Sequence, residues 1–253
     1  MILSSFQLAG RTAMVTGCNT GLGQGIALAL AQAGADIVGV NQSAPAGTMA
    51  QVQALGRKFL DIRKNLSDIS ALPGIVQEAL KLTGRIDILV NNAGIIRRED
   101  AINFSESDWD DVVNLNLKNV FFLAQAAARQ FIAQGTGGKI VNIASMLSFQ
   151  GGVRVPSYTA SKSGVMGITR ALANEWAKHR INVNAIAPGY MATNNTAALQ
   201  ADPVRNAAIL DRIPAGRWGT PADLAGPVVF LASPASDYVN GYTVAVDGGW
   251  LAR

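Results

Sequence analysis

The chain has 253 residues, of which 49% are apolar and only 15% charged, against the ~25% charged typical of soluble globular proteins. That composition excludes a disordered chain. The 21 Lys and Arg against 17 Asp and Glu leave a net charge of +4 with no basic stripe, so the electrostatic footprint of a nucleic-acid partner is missing.

In chain order, Met1–Gly10 shows neither a basic n-region nor an apolar h-region, and Cys18, the only cysteine, has no disulfide partner. The expectation is a cytoplasmic protein. Thr12–Val15 reads as a strand, followed by a glycine-rich turn and a helix over Leu22–Ala33. The most apolar stretch, Leu22–Val40, is broken by Gln24, Gln32 and Asp36 and falls short of the ~18 uninterrupted apolar residues of a membrane span, so no membrane partner is expected. Next come a strand at Ile37–Val40, a helix at Thr48–Leu55, a weaker strand near Lys58–Ile62 and a helix at Ile69–Leu82. Strands at Ile86–Val90, Lys139–Ile143, Asn182–Ala187 and Tyr242–Val246 alternate with helices at Asn116–Gln134, Tyr158–Lys178 and Ala222–Leu231. Such alternation with continuously apolar strands predicts an α/β fold, a doubly wound parallel sheet of about seven strands with helices on both faces. No linker or repeat divides residues 1–253, which predicts a single domain. The segment of about 188–218, with Asn194-Asn195-Thr196 and Pro203, is the least regular; a long connection there is expected to be a mobile lid.

The turn after the first strand is Thr16-Gly17-Cys18-Asn19-Thr20-Gly21-Leu22-Gly23. Glycines let backbone approach a pyrophosphate, and a helix N-terminus offers free N–H groups and a positive dipole end. A dinucleotide cofactor is the functional reading, although such turns also serve merely as tight strand–helix junctions. About 20 residues on, where an acidic residue usually meets the adenosine ribose, stands Asn41. Its amide can bond a ribose hydroxyl but does not repel a 2′-phosphate. Asn19, Thr20, Gln42 and Ser43 bring no cation to attract one, so NAD is expected over NADP.

Tyr158 and Lys162 stand four apart in a predicted helix and share a face. A phenol has a pKa of ~10, and a nearby ammonium would lower it toward the range of a working base. Ser145, at the end of the fifth strand, is placed to approach the same edge. Taken alone, a Tyr and Lys so spaced also describe one half-buried ring and one solvated amine.

Together, Thr16–Gly23, Asn91-Asn92-Ala93-Gly94, Asn116, Ser145, Tyr158, Lys162 and Pro188-Gly189 with Thr193 resemble the short-chain dehydrogenase/reductase family over essentially the whole chain. The resemblance implies a Rossmann-type fold in a homotetramer. It implies Tyr158 as general acid/base and Ser145 as the residue orienting the reacting carbonyl or alcohol. Lys162 would bind the nicotinamide ribose and lower the Tyr158 pKa, and Asn116 would position a relay water. Gly17, Asn19, Thr20, Gly21, Leu22, Gly23, Asn41 and Gln42 would serve the phosphates and adenosine. Asn65 takes the place of the family's adenine-side Asp. Asn92, Ala93 and Gly94 would flank the cofactor, with Pro188, Gly189, Met191 and Thr193 at its nicotinamide end, alongside Tyr158 and Lys162.

Within the family, Ile95–Asp100, Met146–Tyr158, Ala187–Thr196 and Asp247–Arg253 resemble sugar-acid dehydrogenases, implying a sugar-acid substrate and a place in uronate breakdown from pectin-like polysaccharides. A sugar acid needs a cation for its carboxylate, and the guanidinium fork suits it. Arg98 and Arg154 are the first candidates and Arg97 and Arg217 the next, with Glu99 and Asp100 as available ion partners for Arg97; Gln150 and Asn194 are candidates for sugar hydroxyls. An NADPH-dependent 3-oxoacyl carrier reductase and a non-catalytic nucleotide-sensing scaffold remain alternatives. His179 is the only histidine, so no metal cluster is expected. Trp109 and Trp176 read as core or interface anchors, and Trp250 as either packing or a cap on a neighbouring subunit's site.

Overall fold

The computed structural model describes all of residues 1–253. Its strands are β1 (Thr12–Thr16), β2 (Asp36–Asn41), β3 (Phe59–Arg63), β4 (Ile88–Asn91), β5 (Gly138–Ile143), β6 (Ile181–Pro188) and β7 (Thr243–Val246). They form one seven-stranded sheet in the order β3-β2-β1-β4-β5-β6-β7, every neighbouring pair being parallel. A parallel sheet needs cover on both faces, and the helices supply it. On one face, α1 (Gly21–Gln32) and α9 (Ala225–Ala232) pack Ile26, Leu30, Val228 and Leu231 against Val15, Ile37 and Val90. On the other, α3 (Leu72–Thr83), α5 (Asn119–Gln134) and α6 (Pro156–Trp176) pack Ile75, Leu123, Phe131 and Leu172 against Met14, Leu89 and Ile140. Between α1 and β3 lies the short α2 (Ala46–Ala54).

The chain winds outward in opposite directions from β1 and β4. At such a reversal the connections splay apart beyond the strands' carboxyl ends and leave a crevice. The ends of β1, β4, β5 and β6 carry Thr16, Asn91, Ile143 and Pro188, bringing the glycine turn, the Asn91–Gly94 loop, Ser145 and Gly189 to one edge.

Two expectations are corrected. A helix missing from the sequence reading, α4 (Glu106–Val113), precedes α5 and joins it through a π-helical turn at Asn114–Lys118, so the helical run begins well before Asn116. Ser105 caps it by accepting from the Asp108 N–H, and Glu106 and Asp108 suit its dipole; Trp109, Val112 and Val113 are its only apolar residues, so its apolar stripe is short. The 188–218 segment is not irregular either, because it holds α7 (Ala197–Ala201) and α8 (Pro203–Arg212). Asp202 starts α8 by accepting from the Val204 and Arg205 N–H groups ahead of Pro203 at the first position. No helix is long and apolar enough to cross a membrane.

Candidate active site

The glycine turn is built to take backbone close to a ligand. Gly17 and Gly21 have φ of +65° and +58°, a region open to glycine at little cost. A Cβ on Gly23 would run into the Gly17 carbonyl and the Asn92 amide. The Thr20 side chain does not cap α1, leaving the helix's first N–H groups for an anion. Asn92 Nδ2 donates to the carbonyls of Thr16 (2.9 Å) and Gly17 (3.0 Å), while Thr16 Oγ1 accepts from the Asn92 and Ala93 N–H groups. The turn and the Asn91–Gly94 loop are thus one hydrogen-bonded unit, and these residues fit a dinucleotide cofactor. Gly23→Ala should overpack it, lowering Tm by ~5 °C and weakening cofactor binding at least ~10-fold; calorimetry and fluorescence titration check both.

Asn41 departs from expectation. Its side chain is 2% exposed; Oδ1 accepts from the Cys18 N–H at 2.8 Å, and Nδ2 faces Cys18 Sγ and Asp61 Oδ1 at 3.6 and 3.5 Å. It braces the turn and is not presented to a ribose. Burial pushes the Cys18 thiol up to about 11, which keeps it protonated and inert. Asn19 Nδ2 donates to Ser43 Oγ at 2.7 Å, and Gln42 is exposed at the mouth. Asn65 is exposed just beyond β3 and accepts from the Ser67 N–H. At the other end, Gly189 lies so close to Asp247 that a Cβ would collide with it, and Met191 is buried, bridging to Gly219. Thr193 stands over Gly21, with 3.8 Å between its methyl and a Cβ built on that glycine.

Ser145 ends the β5 connection and caps the next turn, its Oγ accepting from the Leu147 N–H at 3.1 Å. Ser148 Oγ accepts from the Ser145 N–H and donates to the Lys162 carbonyl at 2.6 Å, tying that turn to α6. Tyr158 lies in the first turn of α6, with the Ser145 side chain near enough to favour its phenolate. Lys162, one turn on and 4% exposed, donates from Nζ to the Ile143 carbonyl at 2.6 Å and lies 5.6 Å from the Tyr158 ring centroid.

The electrostatics differ from the expectation that Lys162 lowers the Tyr158 pKa. Burial raises Tyr158 above the usual phenol value, opposed by the Ser145 hydrogen bond and the charge of Arg98. Burial also pulls Lys162 down to about 8, so the ammonium persists at neutral pH and discharges only as pH rises past that value.

Asn116 sits in the π-helical turn, a distortion frequent at functional sites. Its amide clasps the Ile95 backbone, accepting from N–H at 2.9 Å and donating to the carbonyl at 2.8 Å. A Cβ on Gly94 would lie 3.0 Å from Asn116 Oδ1 and 3.8 Å from Lys162 Nζ. The side chain expected to hold a relay water thus gives one donor and one acceptor site to the loop. Sequence reasoning also missed the buried chain behind it, in which Asn91 Nδ2 donates to Asn142 Oδ1 and Asn142 Nδ2 to Thr169 Oγ1.

A family model described as enoyl-(acyl carrier protein) reductase matches residues 17–251, spanning every element of this edge. The chain belongs to the short-chain dehydrogenase/reductase family. It is 72% identical to a 2-dehydro-3-deoxy-D-gluconate 5-dehydrogenase of Escherichia coli over the full length of both chains. Among solved structures, it resembles an Agrobacterium tumefaciens protein described as a 2-deoxy-D-gluconate 3-dehydrogenase with bound NADP. That match has 57% identity, a TM-score of 0.94 and coverage of 98% of this chain and 99% of that one. A gluconate 5-dehydrogenase from Burkholderia cenocepacia in complex with NADP and tartrate matches with 38% identity, a TM-score of 0.95 and full coverage of both chains. The protein is accordingly an oxidoreductase with a nicotinamide cofactor.

Around this dehydrogenase site the arginines divide by partner. Arg154, expected to meet substrate, is paired with Asp100 at 3.0 Å and Glu99 at 3.5 Å, holding the left-handed φ of +64° at its own position. The acids expected to neutralise Arg97 are thus taken by Arg154, and Arg97 pairs with Asp108 and Asp111 of α4 at 3.2 Å each. Arg217 makes a two-pronged pair with Asp223, which holds that carboxyl well below its usual range. Arg98 is exposed, makes no ion pair within the chain, and is near enough to act on Tyr158. Gln150 accepts from Arg212, and Asn194 is exposed in a short turn before α7. Trp250 is 5% exposed and packs within its own chain against Tyr190 and Arg212. Trp109 is 41% exposed, which removes the core half of its reading as a core or interface anchor.

Proposed function

We propose that this enzyme interconverts 2-dehydro-3-deoxy-D-gluconate and its 2,5-diketo form. The observation that carries the reading is an unpaired Arg98 acting on Tyr158, within a chain 72% identical to a dehydrogenase named for that substrate. The nicotinamide, when bound, supplies the hydride acceptor for the C5 hydrogen. Tyr158, as phenolate, takes the proton of the C5 hydroxyl, and in the reverse direction the phenol returns it to the carbonyl oxygen. Ser145 donates to the same oxygen and fixes its distance from Tyr158. Lys162 holds the ribose hydroxyls. Asn116 keeps the Ile95 backbone, and with it the start of the Arg98 loop, in place.

Arg98 pairs with the C1 carboxylate. Arg98→Ala should raise KM for the sugar acid by ~10- to 100-fold, the worth of a charged hydrogen bond, with kcat little changed; Arg154→Ala should instead loosen the loop and impair acidic and neutral substrates alike. Steady-state kinetics on both variants separate the two roles.

NAD is the preferred cofactor in this reading, supported by the lack of any cation among Asn19, Thr20, Gln42 and Ser43. The enzyme works in the cytoplasm as a homotetramer, with exposed Phe122, Ile132 and Tyr242 as apolar surface for self-association. The α7–α8 segment closes as a lid, and the reaction serves uronate breakdown. The deciding experiment follows nicotinamide reduction by purified protein with 2-dehydro-3-deoxy-D-gluconate and NAD or NADP. Turnover favouring NAD is expected, and no turnover with either cofactor overturns the assignment.

A further inference from the structure

Two guanidiniums near the site have no carboxylate partner, Arg98 and Arg212. Arg212 ends α8 and was not among the residues the sequence singled out. Its guanidinium carbon lies 4.0 Å from the Trp250 ring centroid, and Nη2 donates to Gln150 Oε1 at 3.3 Å. The adjacent Asp211 makes no ion pair with it; the Asp211 carbonyl accepts instead from Arg253. Trp250 is itself fixed, edge-on to Tyr190 at 4.8 Å, and Tyr190 is edge-on to Trp218 at 5.4 Å. The Trp250 ring lies against the guanidinium and Gln150 takes one N–H, leaving most of its five N–H donors unused.

The location joins this cation to the chemistry. Ile209 and Ile213, flanking Arg212, belong to one apolar cluster with Met146 and Trp250, against which Leu147 and Tyr190 pack. Met146 and Leu147 directly follow Ser145, Gln150 lies between Ser145 and Tyr158, and Tyr190 follows Gly189. The far end of the Ser145–Tyr158 segment is tied to the Arg98 loop, where the Glu99 N–H donates to the Arg154 carbonyl at 3.1 Å. The two free guanidiniums therefore flank one segment, the one that carries Ser145 at its start and Tyr158 at its end.

We propose that Arg212 is a specificity-determining residue that recognises the carboxylate of the substrate from the α8 side, oriented by Trp250 and Gln150. The proposal rests on the sugar-acid reading above. An anion entering between Arg98 and α8 draws Arg212 by charge while the Trp250 stack keeps its plane. A clasp serving structure alone needs the stack but not the charge, which separates the two roles experimentally.

The test compares wild type, Arg212→Met and Arg212→Lys on 2-dehydro-3-deoxy-D-gluconate and on its uncharged C1 amide, with cofactor dissociation constants measured by fluorescence. Arg212→Met is expected to lower kcat/KM for the acid at least ~10-fold more than for the amide, chiefly through KM, with cofactor affinity unmoved. Arg212→Lys should recover part of the acid preference, because the charge remains. Equal losses on acid and amide, or no loss on the acid, would overturn the proposal while leaving the sugar-acid reading intact. Absence of wild-type turnover of the acid would overturn both.

Discussion

Tyr158→Phe will reduce turnover by at least ~10³-fold in either direction while leaving the cofactor dissociation constant within about twofold of wild type. The ring remains to fill its place at the start of α6, and the hydroxyl whose ionisation Ser145 favours is lost. Lys162 Nζ is held on the Ile143 carbonyl, and neither the Ser145 hydroxyl nor the Asn116 amide ionises near neutrality. In the wild type, alcohol oxidation needs the phenolate, so kcat/KM should rise with pH; carbonyl reduction needs the phenol and should fall as pH rises. Burial raises Tyr158 in the cofactor-free chain, so cofactor binding must bring its titration down for oxidation to run near neutrality. A phenol titration followed in the ultraviolet, with and without oxidised cofactor, checks the sign. Retention of more than ~10% of wild-type turnover by the Phe variant would exclude Tyr158 as the acid/base.

Lys162→Met combines a large functional loss with a diagnostic change in stability. Lys162 titrates at about 8 in the fold against an ordinary 10.5. Below pH 8 both folded and unfolded chains hold the proton. Between about 8 and 10.5 the unfolded chain holds more, so wild-type stability rises with pH across that window. Near the top of the window Tyr158, raised from 10.0, begins to act in the opposite direction. A shift of this size corresponds to about 3 kcal/mol, which the cofactor-free enzyme forgoes at neutral pH to keep an ammonium under the substrate edge. Methionine removes the charge but leaves the Ile143 carbonyl without its donor, a cost of ~1–3 kcal/mol. The variant should therefore be close to wild type in stability at pH 7, lack the rise above pH 8, and lose ~10²-fold or more in turnover. Chemical denaturation at pH 7 and pH 9 reads the slope; an unchanged rise in the variant would show that another group titrates there.

Much of the fold was legible from local signals. Continuous apolar strands such as Ile37–Val40 demand a two-sided cover, and alternation with helices leaves a doubly wound sheet as the natural solution. The edge strand β3 and the helix α4 were the weak points. Phe59–Arg63 mixes charged residues into a strand, and α4 is acidic and largely exposed, with Val112 its only buried residue. The convergence of Ser145, Tyr158 and Lys162 was legible too, because they sit at fixed places on one strand end and one helix.

Partnership among charges was not legible. Glu99 and Asp100 lie beside Arg97 in sequence, yet they pair with Arg154, because the backbone turns their side chains toward the Ser145–Tyr158 segment and leaves Arg97 facing α4. Asn41 stands where a ribose ligand belongs, yet the depth of β2 in the sheet directs its amide into Cys18. Arg212, Trp250 and Gln150 come from three distant segments, so no spacing announces them. The sequence by itself determined the sheet, the glycine turn and the Tyr158–Lys162 pairing, since each depends on periodicity or on neighbours within one turn. Only the tertiary structure decided which cations are free to meet a substrate, since a charge is spent or available according to what the folded chain brings within reach of it.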